Sequence, residues 1–536
     1  MRAVASIAEE LGLPPDAWSP WGRWAAKIDP GRLARRSGRP RGKIVLISGM
    51  TPTVHGVGKS VTMLALGEAL HQQGVSSVSC LRQPSLGPVF GLKGGGAGGG
   101  RATVEPMGEV NLGLTGDLDA VANAHNLLAS TIDNHLHHGN ELRIDPEQVL
   151  WPRTLDLEDR ALRDIEIGRG RVNGPVRRSS FVITPASEVT AILGLASGPA
   201  DLRERLERIL VGRTLDGRVV RAGELGAGGA MAALLRHALL PNLLQTQDGA
   251  PVLVHGGPFG NLSYGTTTLN SLHVARELAD IVLVEAGFGT DLGGEKFVDL
   301  VSPAGDVFPS AAVLVASLPV LRAHAPGQVG PAGLEPGLAN LEQHVLNLRS
   351  FGLEPIVALN RFAEDDPADV RAVASFLEGL SVRVEDSRGF AEGGRGCVGL
   401  AGAVVAAAGS GAPARPVYEP GQSVAAKIDR IARTIYGGEG AELSGRAEEQ
   451  LAHPEWDDAR RAPVCLAKTQ LSLSDDPKKL GRPRSFRVRV REFVPAAGAG
   501  YLVALLGEIQ TMPGLPSDPR LRRIGIAADG TLEGVG

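Results

Sequence analysis

KIVLISGM (43–50), TPTVHGVGKS (51–60) and SVTMLALGEALHQQG (60–74) decide the fold. The first is a short β-branched run ending in Gly49 and Met50, the pattern of a buried parallel strand. The third has helical apolar spacing and stops at Gly74. VSSVSCL (75–81) reads as a second strand. Strand, Gly-containing loop, helix, strand is a βαβ unit and predicts a doubly wound parallel sheet. The loop ends in Gly58-Lys59-Ser60, the close of a phosphate-binding Gly-x-x-x-x-Gly-Lys-[Ser/Thr] motif, although Thr53 stands where its first glycine belongs. Backbone N–H groups at the following helix start would cradle phosphates, Lys59 would neutralise them, and the Ser60 hydroxyl would reach Mg²⁺. A plain strand-to-helix turn with a solvated lysine is the competing reading.

Further strand-like runs follow at PVLVHG (251–256), DIVLVEAG (280–287), AAVLVAS (311–317) and EPIVALN (354–360). The expected architecture is α/β: a P-loop-type doubly wound parallel sheet core, an inserted helical subdomain, and further C-terminal α/β domains. Residues 1–345 form the nucleotide-binding core, with a helix-rich insertion at about 115–245. Residues 346–450 form an α/β domain and 451–536 a strand-rich C-terminal one. Residues 1–40 read as helical, broken by an Arg-rich linker, GRLARRSGRPRG (31–42), and a Gly/Ala/Pro-rich linker is expected near 408–422.

Composition narrows the function. The 536 residues carry 55 basic and 59 acidic side chains, net −4, which argues against a nucleic-acid partner. Cys80, Cys397 and Cys465, widely spaced, make neither a disulfide framework nor a Cys-based zinc site. No run reaches membrane-spanning length, and MRAVASIAEELGL reads as an amphipathic helix rather than a signal peptide, so a cytoplasmic protein is expected. Only nine of the basic residues are lysine, which makes Lys27, Lys59, Lys93, Lys296 and Lys468 worth following.

Arg82 follows the second strand and so emerges at the carboxyl edge of the sheet beside the phosphate loop, where ligands of such sheets collect. Its guanidinium suits an acyl phosphate or a phosphoryl transition state. The six glycines between 94 and 100 imply close backbone approach to a ligand or neighbour, or a flexible surface loop. Glu285 and Asp291, after another strand, are candidates for helping to hold Mg²⁺, with solvated loop carboxylates as the plainer alternative. His135, His137 and His138 lack partners at ligand spacing.

LGPVFGLKGGGAGGG (86–100), LTGDLDAVANAHNLLASTIDNHLHHGN (114–140), ASEVTAILGLA (186–196), VHGGPFGNLSYG (254–265), EAGFGTDLGGEKF (285–297), ALNRF (358–362), AKTQLSLSDDPKKLGRP (467–483) and TMPGLPSDP (511–519) closely resemble formate–tetrahydrofolate ligases, over nearly the whole chain. The resemblance implies an ATP-dependent C–N ligase of one-carbon metabolism: ATP phosphorylates formate, and N10 of tetrahydrofolate attacks the formyl phosphate. It implies Mg²⁺, a monovalent cation (K⁺ or NH₄⁺) and a homotetramer, without nucleic-acid or membrane partners. Carried over, Thr53, His55, Gly56, Val57, Gly58, Lys59 and Ser60 bind ATP, with Ser60 on the metal. Lys59 and Arg82 are catalytic, and Phe362 with Phe390 (in RGFAEGGRG, 388–396) sandwiches the pterin.

Departures from the family cluster in its ligand loops. Val57 replaces a Glu, Gln83 a Glu, Asp119 a His, and Phe390 a Trp. Arg395 stands for an acid and Leu471 for a Tyr, while Val301 to Pro303 and Pro319 to Pro326 are recast. Two other readings follow from these edits: a paralogue that activates formate or another small carboxylate for a different acceptor, or a non-catalytic nucleotide- or folate-binding homologue.

Overall fold

The computed structural model describes the chain except residues 34–39, 54–55, 93, 329, 331–332, 454–458, 508 and 536. Part of the 31–42 linker, and the candidates His55 and Lys93, lie outside the described residues. Twelve strands form the main sheet: β1 (Trp18–Trp21), β2 (Ala25–Ile28), β3 (Lys43–Gly49), β4 (Ser77–Leu81), β5 (Gly98–Gly99), β6 (Ala102–Glu105), β7 (Asn242–Thr246), β8 (Pro251–Val254), β9 (Ile281–Gly289), β10 (Pro309–Ala316), β11 (Pro355–Asn360) and β12 (Arg383–Ser387). Their order is β1-β2-β7-β8-β4-β9-β3-β10-β11-β12, with β6 also on β7 and β5 on β6. From β8 to β12 every neighbouring pair is parallel. The doubly wound expectation holds, with an antiparallel extension at the β1 side.

The pleat of β3 explains why its apolar run is unbroken. Ile44 and Leu46 face one core, with α4 (Leu269–Leu278) and α5 (Glu335–Ser350). Val45 and Ile47 face the other, with α2 (Lys59–Gln72) and α6 (Val398–Ser410). A strand covered on both faces needs apolar residues at every position rather than at alternate ones. Helices packed on both sides of that strand are what a βαβ sequence demands.

Residues 1–40 are not mainly helical. Among the described residues of this stretch the one α-helix is α1 (Val4–Glu10), and WSPWGRWAAKI folds as the β1–β2 hairpin, with Gly22 at φ 73° in its turn. Aromatic residues and a glycine turn override the helical spacing, because β2 completes the sheet edge beside β7. Between 115 and 245 lie the long helix α3 (Asp117–His137), three shorter helices and several short strands. Strands β11 and β12, beyond residue 345, extend the same sheet as β3. Val464–Ala467, Tyr501–Leu505 and Glu492–Ala496 make a separate three-stranded sheet. No helix among the described residues is long and apolar enough to cross a membrane. All three cysteines are buried free thiols, and burial pushes Cys80 up to about 12.

Candidate active site

The phosphate loop leaves β3 at Gly49 and enters α2 at Lys59 through Gly58, whose φ of 86° is left-handed. A Cβ at Gly58 would come 2.3 Å from Asn360 Nδ2, so both conformation and space require glycine. Asn360, the last residue of β11, in turn donates to the Val57 carbonyl at 3.4 Å. The start of the loop is held from behind. Thr51 N–H donates to His344 Nε2 at 2.8 Å, and Asn340 Nδ2 donates to Thr51 Oγ1 at 3.0 Å. The accepting Nε2 fixes His344 as the Nδ1–H tautomer, which donates to Thr290 Oγ1 at 2.6 Å. Burial pushes His344 down to about 4, so it stays neutral. His324, from the recast 319–326 loop, accepts Gly481 N–H at Nδ1 and bonds the Thr51 carbonyl through Nε2 at 3.2 Å.

Four side chains converge at this edge. Ser60 Oγ, in the first turn of α2, donates to Glu285 Oε2 at 2.8 Å from β9, the strand beside β3. Arg82 follows β4, on the other side of β9, and donates from Nη1 to the Pro258 carbonyl at 3.2 Å. Lys59 and Arg82 are half-buried. Burial pulls both below their ordinary values, while the Glu285 carboxylate opposes that shift in each. Arg82 adds a second downward push on Lys59. Two cations thus share one carboxylate, leaving positive charge for an anion. Phe288, between Gly287 and Gly289 at the end of β9, sits at φ 62°, an uncommon conformation for an aromatic residue.

The remaining candidates separate. Thr53 is half-buried and Gly56 exposed. Val57 is 2% exposed and packs into the core, its Cγ2 against the position a Cβ would take at Gly49. Asp291 is 1% exposed and paired with Lys468 Nζ at 2.7 Å. Phe362 follows β11 and Phe390 follows β12, whose ends are paired through Asn360 and Ser387. Phe362 lines an open cleft of ≈ 710 Å³ with Gly56, Leu318, Pro319, Arg322 and Asp366. Phe390 lies outside that cleft, half exposed, its ring 3.5 Å from a Cβ position at Gly99. Among the edited positions, Val57, Val301 and Ser302 are interior, whereas Asp119 and Arg395 are exposed. Gln83 is 2% exposed, donates Nε2 to Gly113 O at 3.2 Å, and leaves Oε1 without a donor. Among the described residues no His/Cys/Asp/Glu group of three or more is arranged to hold a metal.

Behind β9, Glu295, between the π-helical segments Thr290–Gly294 and Phe297–Val301, and Asp299, inside the second, form a buried pair that the sequence reading passed over. Glu295 is 0% and Asp299 3% exposed, four residues apart. Neither Glu295 oxygen has a donor, and Asp299 Oδ1 accepts Val417 N–H at 2.8 Å. Burying two carboxylates this close together disfavours ionising both. Burial first, then mutual charge, raises Glu295, and burial raises Asp299 to about 7. Lys296, Asp291, Cys465, Tyr418 and Tyr436 are the other ionisable groups facing them. A raised acid binds a proton in the folded chain that the unfolded chain releases. Stability therefore falls as pH rises from the ordinary carboxylate range, about 4.5, through about 7. Glu295→Gln is expected to make the slope of Tm against pH between about 5 and about 8 shallower without abolishing it, because burial also raises Asp156, Glu68 and Glu188. An unchanged slope would remove the pair from the account.

A strand–loop–helix anion cradle at the carboxyl edge of a parallel sheet, with lysine in the first helical turn, defines a phosphate-loop α/β protein. A sequence model of the formate–tetrahydrofolate ligase family matches residues 1–536. The chain is 46% identical over 541 residues to the formate–tetrahydrofolate ligase of Paracoccus denitrificans (strain Pd 1222), covering 99% of this chain and 97% of that protein. It is 44% identical to those of Corynebacterium jeikeium (strain K411) and Symbiobacterium thermophilum, covering 100% of this chain and 96% and 98% of theirs. The chain belongs to the formate–tetrahydrofolate ligase family.

Proposed function

We propose that this chain ligates formate to N10 of tetrahydrofolate with ATP, through formyl phosphate, giving 10-formyltetrahydrofolate, ADP and phosphate. The observation that carries the reading is the convergence of Lys59, Ser60, Arg82 and Glu285 on one sheet edge. A formate oxygen attacks the γ-phosphorus, and the bond to the β-phosphate oxygen breaks. N10 then attacks the formyl carbon, its C–O bond to phosphate breaks, and N10 loses its proton. Neither step needs a protein nucleophile; positioning and charge carry phosphoryl transfer. Lys59 and the N–H groups from Gly56 to Ser60, with Thr53, hold the triphosphate, and Arg82 holds the transferred phosphoryl and the acyl phosphate.

Ser60 Oγ and Glu285 Oε2, 2.8 Å apart, are two hard oxygens of the kind that Mg²⁺ takes alongside nucleotide phosphates. When bound, the ion neutralises phosphate charge. The orphan Gln83 Oε1 beside Arg82 would hold a monovalent cation as a neutral oxygen ligand. Phe362 and Phe390, from paired strand ends, would flank the pterin, so residues 346–450 supply the folate side. We place the enzyme in the cytoplasm as a homotetramer, as membership of the family implies.

The interior setting of Val57, Val301 and Ser302 favours the family reaction over a changed acceptor, because three edited positions lie in the core. The test is an assay with MgATP, K⁺, formate and tetrahydrofolate, each omitted in turn, following ADP and formyl-folate together. Both products, each dependent on formate and folate, are expected. ADP without formyl-folate would transfer the reading to another acceptor, and neither product from intact protein would overturn it.

A further inference from the structure

Gly98–Gly99 (β5) are held by pairing with β6, and Ala97 O accepts Val104 N–H at 2.8 Å, so the part of the glycine-rich loop that needs further holding is 94–96. Gly94, Gly98 and Gly100 take positive φ, and glycine loses the most freedom on ordering. Its fixed position comes from neighbours. On one side Gly96 lies against the Pro84 ring, two residues after Arg82, where a Cβ would come within 2.9 Å. At the far end a Cβ at Gly100 would meet the Phe390 carbonyl, which also accepts Arg101 N–H at 2.9 Å. The loop therefore spans from the Arg82 turn to Phe390.

Its third set of contacts comes from residues far away in sequence. Arg520 N–H donates to Gly91 O at 2.9 Å, and its guanidinium covers Gly94. Asn111 is 0% exposed; its Oδ1 accepts Gly96 N–H at 2.9 Å, and its Nδ2 donates to the Val535 carbonyl at 3.0 Å. The same amide fills the space a Cβ would need at Gly95. Residues 521–534 are exposed or half-exposed, including the hairpin of Gly525–Ile526 with Leu532–Glu533, yet Val535 is 5% exposed. A segment exposed along its length and anchored at its far end contributes little to the core and much to the loop it grips.

We propose that Pro519–Val535 is a strap that fixes the glycine-rich loop between the Arg82 turn and Phe390, acting through Asn111 as positioning residue. Its kinetic consequence rests on the proposed folate role of Phe390. Releasing the strap frees 94–96 and lets the folate side shift relative to the phosphoryl side, while β5 stays on β6 and the nucleotide cradle, built from β3, α2 and β11, stays in place.

The test compares full-length protein with Val535→Asp and with a variant lacking residues 524–536. It follows hydrogen exchange over 94–101, KM for tetrahydrofolate, MgATP affinity and Tm. Exchange over 94–101 is expected to accelerate about tenfold at 94–96, and folate KM to rise about tenfold. MgATP affinity should stay within about twofold and Tm within about 2 °C. Asn111→Ala should reproduce both changes, and Asn111→Asp, which keeps an acceptor for Gly96 N–H, should restore part of them. Unchanged exchange over 94–101 in the Val535→Asp and shortened variants overturns the strap, whatever the kinetics. Should Val535→Asp fail to fold, the shortened variant, which removes exposed chain and one buried residue, decides. If the wild type makes no formyl-folate, the functional reading fails while the exchange measurement still decides the strap.

Discussion

Arg82→Ala is expected to lower kcat for formyl-folate synthesis about 10³-fold, with MgATP affinity within a few-fold of wild type and Tm unchanged within about 2 °C. The side chain is placed for this. It leaves the end of β4, crosses toward β9, and is held by the Pro258 carbonyl and by contact at Gly287. It shares Glu285 with Lys59, and its charge depresses Lys59. Removing it leaves Lys59 more firmly protonated, so nucleotide binding should survive. What disappears is the planar donor pair available to a phosphoryl group in flight and to the acyl phosphate that follows. Arg82→Lys is expected to recover little, because a point charge does not reproduce a bidentate fork. Single-turnover ADP formation separates the two steps. Loss of ADP formation places Arg82 at phosphoryl transfer, and ADP formation without formyl-folate places it at the acyl phosphate. Turnover of Arg82→Ala at the wild-type rate would sink the catalytic assignment.

Lys59, Ser60 and Arg82 were legible because a βαβ unit is local: strand, loop and helix follow one another in 39 residues from Lys43 to Leu81. The order of strands was not, since β9 enters between β3 and β4 after about two hundred intervening residues. The same limit hid the bracing behind Thr51. Asn340 and His344 are 289 and 293 residues away, and each looks like an ordinary polar position on an amphipathic helix. The partner of Asp291 is hidden from the sequence for a related reason. An acid after a strand and a glycine is the pattern of a metal ligand, and nothing near it in sequence announces that Lys468 will meet it. Val57 shows the converse. In the aligned family motif it stands for an acid, yet its burial against the end of β3 shows a side chain turned inward. The β1–β2 hairpin was lost because helical spacing in the first ten residues was extended past Gly12 and Pro14.

Lys468→Met is expected to cost about 3–5 kcal/mol in urea unfolding, the largest stability loss of any single change considered. Lys468 and Asp291 are 0% and 1% exposed, with Nζ and Oδ2 2.7 Å apart. The ammonium also donates to the Thr469 carbonyl at 3.1 Å and to Ser472 O, and stands 5.0 Å over the Tyr436 ring. Burial pulls Lys468 below its ordinary value and Asp291 opposes that, so the charged form persists only as half of the pair. Removing the lysine leaves Asp291 a buried carboxylate without its cation, with the Glu295–Asp299 pair already nearby. Asp291→Asn should cost a comparable amount, by stranding the cation instead. The double variant Asp291→Asn/Lys468→Met leaves neither charge, so it should be more stable than either single variant, with a coupling energy of at least about 3 kcal/mol. The consequence reaches the site, because Asp291 lies two residues beyond Gly289 at the end of β9, the strand that carries Glu285. Folded Lys468→Met should therefore lose activity at denaturant concentrations well below its global unfolding, as the end of β9 loosens first. Single variants within about 0.5 kcal/mol of wild type would show instead that the pair is dispensable.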